Sequence, residues 1–167
     1  RTLDKVLRRE LLILEGDPFN GQKLKDSLNA LKRLGYFKSV DVNILKTDTP
    51  GVIDIELKVV ENLTGVFSFG IGYDSVEKTS FTVGLQEKNF LGKGLKTRIS
   101  ISSSEKSTKY NLGFTEPYFQ DTPLSLSGDI FDQQTERGDR DIEKSGLEIA
   151  LGFRFYEYFN SFGYSLS

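Results

Sequence analysis

The stretch Thr64-Gly65-Val66-Phe67-Ser68-Phe69-Gly70-Ile71-Gly72-Tyr73-Asp74 constrains this chain more than any other. Side chains of an extended strand point alternately to opposite faces, so Phe67, Phe69, Ile71 and Tyr73 share one face and Val66, Ser68, Gly70 and Gly72 the other. One face is large and apolar; the other is small. Glycine and serine are weak strand formers and thin cover against water, so a core face backed by a solvent face fits badly. An apolar face toward lipid, backed by a small face toward the interior of a barrel, fits well. Such a reading demands that the pattern repeat.

It does repeat. Phe81, Val83 and Leu85 alternate with Ser80, Thr82, Gly84 and Gln86, and Leu95, Thr97, Ile99 and Ile101 alternate with Lys96, Arg98, Ser100 and Ser102. Tyr110, Leu112 and Phe114 follow, then Leu124, Leu126 and Ile130, then Leu147, Ile149, Leu151, Phe153 and Phe155, and Phe162, Tyr164 and Leu166 open a last strand. Between them lie mostly small or polar residues, with Asp129, Glu148 and Arg154 on the inner face as solvated charges. The outcome is part of an antiparallel transmembrane β-barrel of about seven strands.

The chain of 167 residues contains no His, Cys, Met or Trp. No Ser–His pair, thiolate or imidazole ligand can form, so no catalytic, cofactor-binding or metal-binding residues are assigned and no enzyme is expected. A net charge of -2 argues against a nucleic-acid partner. No apolar run reaches the roughly 18 residues of a membrane-spanning helix. Starting at Arg1-Thr2 and stopping inside a strand pattern at Ser167, the chain reads as a piece of a longer protein.

Ahead of the strand array, residues 1–62 read as a separate α+β domain. Thr2 is placed as the N-cap of a helix reaching Leu14, with Leu3, Val6 or Leu7, Leu11 and Leu14 at helical spacing. Asn20 caps a second helix through Leu34, carrying Leu24, Leu28 and Leu31 and stopped by Gly35. A hairpin follows, with Val40, Val42 and Ile44 alternating, a turn at Thr47-Asp48-Thr49-Pro50-Gly51, and Ile53, Ile55, Leu57 and Val59 alternating back. A two-stranded ribbon is marginal alone, so a first strand upstream of Thr2 is expected to be missing.

Connections within residues 63–167 fall into two alternating classes. Asp74 to Thr79, Ser102 to Thr108 and Asp132 to Glu143 are polar loops, whereas Lys88 to Gly94, Glu116 to Asp121 and Tyr156 to Asn160 are aromatic turns. That asymmetry suits an aromatic girdle at one interface and wet loops at the other, with the girdle on the side of the first domain. Two readings of Gly70 and Gly72 stay open: glycines placed where barrel walls crowd, or glycines that weaken an edge able to open and template another chain.

Several motifs together carry a family resemblance. They include Val6-Leu7-Arg8-Arg9-Glu10, Leu14-Glu15-Gly16, Leu31-Lys32-Arg33-Leu34-Gly35-Tyr36-Phe37, the 64–73 strand, Asn89-Phe90-Leu91-Gly92-Lys93-Gly94 and Thr115-Glu116-Pro117-Tyr118-Phe119. In this order they resemble the BamA family of outer-membrane β-barrel assembly proteins, in its last polypeptide-transport-associated (POTRA) domain and the first part of its barrel. The resemblance implies a periplasmic βααββ POTRA domain without its first strand, and a barrel wall in the bacterial outer membrane. It implies a non-enzymatic insertase that folds and inserts nascent outer-membrane proteins. By position, Gly65, Phe67, Phe69, Gly70, Ile71, Gly72 and Tyr73 belong to a lateral-gate strand that pairs with the client's terminal strand. Arg8 and Glu15 match positions that contact a BamD-like lipoprotein, other assembly-complex subunits and outer-membrane lipid being further partners, although Leu12 replaces a basic residue common there. The alternative of the same architecture is an outer-membrane transporter of two-partner secretion or translocation-assembly type.

Overall fold

The computed structural model describes residues 1–137, 140–153 and 162–166. It divides into two compact units, one of Arg1–Thr64 with Leu91–Lys93 and one of Gly65–Phe90 with Gly94–Ser167. The expected aromatic turn at Tyr156–Asn160, together with Arg154 and Phe155, lies outside the described residues.

The first unit contains helices α1 (Asp4–Arg8) and α2 (Gly21–Leu34) and strands β1 (Phe37–Lys46) and β2 (Ile53–Glu61). Helix α2 follows its sequence signals closely. The Asn20 side chain accepts hydrogen bonds from the Gln22 and Lys23 amides, and Gly35 ends the helix at φ 70°, a left-handed conformation that glycine adopts without a Cβ penalty. Helix α1 is much shorter than its leucine spacing suggests. Its N-cap is Leu3 rather than Thr2, with no side-chain cap, and it ends by Arg8. A competing acceptor accounts for the early stop: the Leu12 amide donates to Ser27 Oγ of α2 at 2.8 Å, while the Glu10 and Leu11 amides close three-residue turns onto Leu7 and Arg8. Leu14 is consequently 68% exposed rather than part of a helical stripe.

Strands β1 and β2 pair antiparallel as expected, with Val40 opposite Val59, Val42 opposite Leu57 and Ile44 opposite Ile55. Val6, Leu31, Tyr36, Phe37 and Val40 form the core, joined by Leu7, Leu11, Leu28, Leu34, Leu57 and Val59. The sheet of this unit has two strands among the described residues. An open groove of about 1750 Å³ runs between β2 and the helices, lined by Leu7, Leu11, Ile53, Ile55 and Leu57.

The second unit is a seven-stranded antiparallel meander in chain order, β3 (Gly65–Asp74), β4 (Lys78–Phe90), β5 (Leu95–Ser104), β6 (Ser107–Glu116), β7 (Leu124–Arg137), β8 (Arg140–Phe153) and β9 (Phe162–Leu166). Three of the expected polar loops are shorter than anticipated. In particular β7 runs to Arg137 and β8 restarts at Arg140, so Gln133, Gln134 and Thr135 pair with Lys144, Glu143 and Ile142 instead of forming a loop. Ladder hydrogen bonds come from the backbone, so a strand continues past the end of its apolar stripe wherever its partner continues too.

Two outcomes test this unit-by-unit account. Ser27→Ala is expected to leave the Leu12 amide without its acceptor and to cost about 1–3 kcal/mol, read as faster amide exchange across α2 in the full-length protein. Unchanged exchange would mean the hydroxyl does not hold the two segments together. The Thr2 amide donates to the Glu61 carboxylate and holds it below its ordinary value of 4.5. A carboxylate with a lowered folded value stabilises the fold above the ordinary range and loses that contribution as pH falls through it. Protection of the amides around Thr2 and Glu61, taken relative to their intrinsic exchange rate at each pH, is therefore expected to fall below about pH 4.5, and Glu61→Gln to flatten that dependence.

Candidate strand edge and membrane face

Strand β3 owes its extended form to its alternation of aromatic and β-branched residues, tied on one side to β4. Phe67 lies opposite Leu85, Phe69 opposite Val83 and Ile71 opposite Phe81, while Ser68, Gly70 and Gly72 face Gly84, Thr82 and Ser80. Paired residues of antiparallel strands share a face, so the large-and-small division of the sequence becomes a division between the two faces of the sheet. On its other side β3 has no partner among the described residues. Gly65, Phe67, Phe69, Gly70, Ile71, Gly72 and Tyr73 all fall on this margin strand, and all are exposed.

The large face is bare along the whole array. Phe69 is 59% exposed, Leu85 55%, Ile99 48% and Leu151 47%, with nothing packed over them among the described residues. Apolar side chains this numerous and contiguous on a protein surface need a non-aqueous partner.

The position of the apolar stripe on each strand says what that partner looks like. On β3 the stripe runs from Phe67 to Tyr73, centred on Gly70; on β8 it runs from Leu147 to Phe153, centred on Ala150. Following hydrogen-bonded partners from Gly70 leads through Thr82, Ser102, Lys109 and Gln133 to Lys144, which is six residues short of Ala150 after five pairings. At about 3.3 Å per residue and about 4.8 Å between strands, the stripe slopes by about 40° to the hydrogen-bond rows. Membrane barrels tilt their strands by roughly 35–45°, so a flat hydrocarbon slab crossing tilted strands accounts for the slip. A packed protein core imposes no such constant slope. Asp132 and Ser145 share a row with Phe69, Val83, Ile101 and Tyr110, and the slope accounts for polar residues in that row.

The expected girdle needs one amendment. Phe90 and Leu91 are exposed at the end of β4, but Tyr118 in the Glu116–Asp121 turn is only 6% exposed and is folded into the protein. The turn curls back because Gln120 and Asp121 both take left-handed conformations, which the sequence did not signal.

On the small face, Asp129 pairs in register with Glu148 as placed, but the pairing of Arg98 with Asp129 at 2.6 Å was not legible. The two residues are separated by 31 positions, and only the strand register brings them together. In the first unit, Arg8 and Glu15 do meet, Nη1 to Oε1 at 2.7 Å, with Asp4 as a third member that sequence reading missed. Hydrogen bonds that Arg8 donates to Glu15 and then to Asp4 raise its guanidinium above its ordinary value, so the charge is fixed. Leu12 is 39% exposed, and its amide donates to Ser27 Oγ.

Comparison with known proteins follows the same division. Residues 1–62 match the POTRA family, described as a surface antigen variable number repeat, and residues 89–167 match the Omp85 superfamily domain. Outer membrane protein assembly factor BamA of Nitratidesulfovibrio vulgaris is 33% identical over 131 residues, covering 78% of this chain and 17% of the relative. The chain belongs to the BamA family. BamA of Neisseria meningitidis serogroup B is 30% identical over 132 residues, covering 78% of this chain and 17% of its own length. The crystal structure of BamA from Haemophilus ducreyi lacking POTRA domains 1-3 is similar with a TM-score of 0.81 and 32% identity, over 91% of this chain and 30% of that one. This BamA-family chain therefore spans about a sixth of the length of the relatives named.

The slope of the apolar stripe predicts different depths for residues of one hydrogen-bonded row. A nitroxide at Phe69→Cys in the full-length protein in lipid vesicles is expected to be relaxed by oxygen dissolved in hydrocarbon, and one at Asp132→Cys by a water-soluble paramagnet. Equal depths at the two sites would remove the 40° slope.

Proposed function

We propose that this chain is the membrane-proximal POTRA domain and the first barrel strands of an outer-membrane protein assembly factor, and that β3 is the strand that admits clients. The observation that carries this reading is the place of β3 as the first strand of the array, where it alternates large apolar with small residues and, among the described residues, pairs with β4 alone. Where the strand that closes against β3 lets go, the backbone donors and acceptors of β3 lose their partner in hydrocarbon, where leaving them unpaired costs several kcal/mol each. A client's terminal strand satisfies them by augmentation, and because the bonds are main-chain bonds one edge serves many client sequences. Closure of the client's own barrel removes its remaining edge and drives release.

Crowding fits Gly72, where a Cβ would lie 2.9 Å from Ser80 Oγ, but does not account for Gly70. A Cβ built there meets nothing nearer than Thr82 Cβ at 4.0 Å, which is ordinary contact. Glycine in a strand interior weakens pairing by roughly 0.5–1 kcal/mol relative to alanine, and at a margin that must exchange partners this is useful. In the same proposal the first unit lies in the periplasm, and the Arg8–Glu15–Asp4 cluster, exposed and of fixed charge, is where a lipoprotein partner of BamD type docks.

The test is covalent. A disulfide between Gly70→Cys and the strand that closes against β3 in the full-length protein is expected to stop client insertion into proteoliposomes, and reduction to restore it. Insertion at the normal rate with the disulfide formed would eliminate β3 as the entry edge.

A further inference from the structure

On the small face of the array, Arg98 of β5 and Asp129 of β7 join at 2.6 Å although a whole strand, β6, lies between them. Strands two apart are separated by about 9.6 Å, a span that an arginine and an aspartate cover only if nothing stands in the gap. The register puts Gly113 in that gap, opposite Arg98 on one side and Asp129 on the other. A Cβ at Gly113 would lie 2.5 Å from Asp129 Oδ1 and 3.2 Å from Arg98 Nη2. Glycine at this position is thus what lets the ion pair pass over the strand.

We propose that the Arg98–Asp129 pair is a brace that fixes the curvature of β5–β7, so that bending of the wall concentrates in the β3–β4 hairpin. A tie across one face of a sheet resists any change in the angle between the strands it spans, because bending alters the distance it bridges. Among the described residues the hairpin's small-face pairs Val66 with Gln86, Ser68 with Gly84, Gly70 with Thr82 and Gly72 with Ser80 are uncharged, and the charged pair Asp74 with Lys78 sits at its turn. Its tie to β6 lies at the turn, where Glu77 meets Lys109 at 3.6 Å. The hairpin's ion pairs thus gather at its turn, while the small-face pairs from Val66 to Gly72 carry no charge. Arg98 and Asp129 act as positioning residues: they keep one wall still while the neighbouring edge moves. This inference rests on the entry-edge reading, but its readout does not, since exchange in β6 reports the brace whether or not β3 admits clients.

The experiment is amide exchange on the full-length protein in lipid. Arg98→Ala is expected to raise exchange of the β6 amides by about two- to fivefold, in line with loss of a partly exposed pair, and the charge reversal Arg98→Asp with Asp129→Arg to restore it. Gly113→Ala keeps both charges and is the second variant. Alanine ordinarily strengthens a strand relative to glycine, so a rise in exchange on Gly113→Ala isolates displacement of the pair. Unchanged β6 exchange in Arg98→Ala, failure of the reversed pair to restore it, or slower exchange in Gly113→Ala would each overturn the brace.

Discussion

Hydrocarbon offers a backbone N–H or C=O no hydrogen-bond partner, and the strand array is organised by that constraint. From β4 to β7 every strand has a neighbour on both sides, so most of its main chain is satisfied before any side chain is considered. Side chains then decide which face meets which medium. Where a glycine leaves a gap, a neighbouring aromatic fills it: the Phe114 ring lies over Gly128 and the Phe131 ring over Gly146, each so close that an added Cβ would come within 2.5 Å. Aromatic cover of this kind restores packing that glycine gives up and helps to pin register.

The first unit is held by different physics. Its apolar residues bury against one another, with Val6 and Leu31 fully buried, and its helix boundaries depend on where individual amides find acceptors. Asn20 and Gly35 settle α2 locally. Ser27 settles the end of α1 from a distance, bonding to the Lys23 carbonyl in its own helix and receiving the Leu12 amide from outside it.

That contrast explains what was legible in the sequence. Period-two alternation is local, so the seven strands, their order and their facing could be read directly, as could α2 from its caps. The length of α1 could not be read, because leucine spacing says nothing about a serine 15 positions downstream of Leu12. Strand ends were misjudged for a related reason: Gln133 to Arg137 look like loop by polarity, yet pairing with β8 carries them into the ladder. The slope of the apolar stripe and the Arg98–Asp129 tie required register, which is a relation between strands and not a property of any one of them. Arg8 and Glu15 were picked out by resemblance; that they touch, and that Asp4 joins them, came from the fold.

An edge that serves many clients must be indifferent to sequence and strict about register. Main-chain hydrogen bonds supply the indifference. If β3 is that edge, as proposed, strictness comes from its two faces: a client strand displaced by one residue would turn its whole apolar set from the Phe67, Phe69 and Ile71 side to the Ser68, Gly70 and Gly72 side. That error exposes polar groups to hydrocarbon along the full strand, so it is rejected without any contact specific to one client. Amphipathic alternation is then the property the edge selects, and it is the property that membrane strands share.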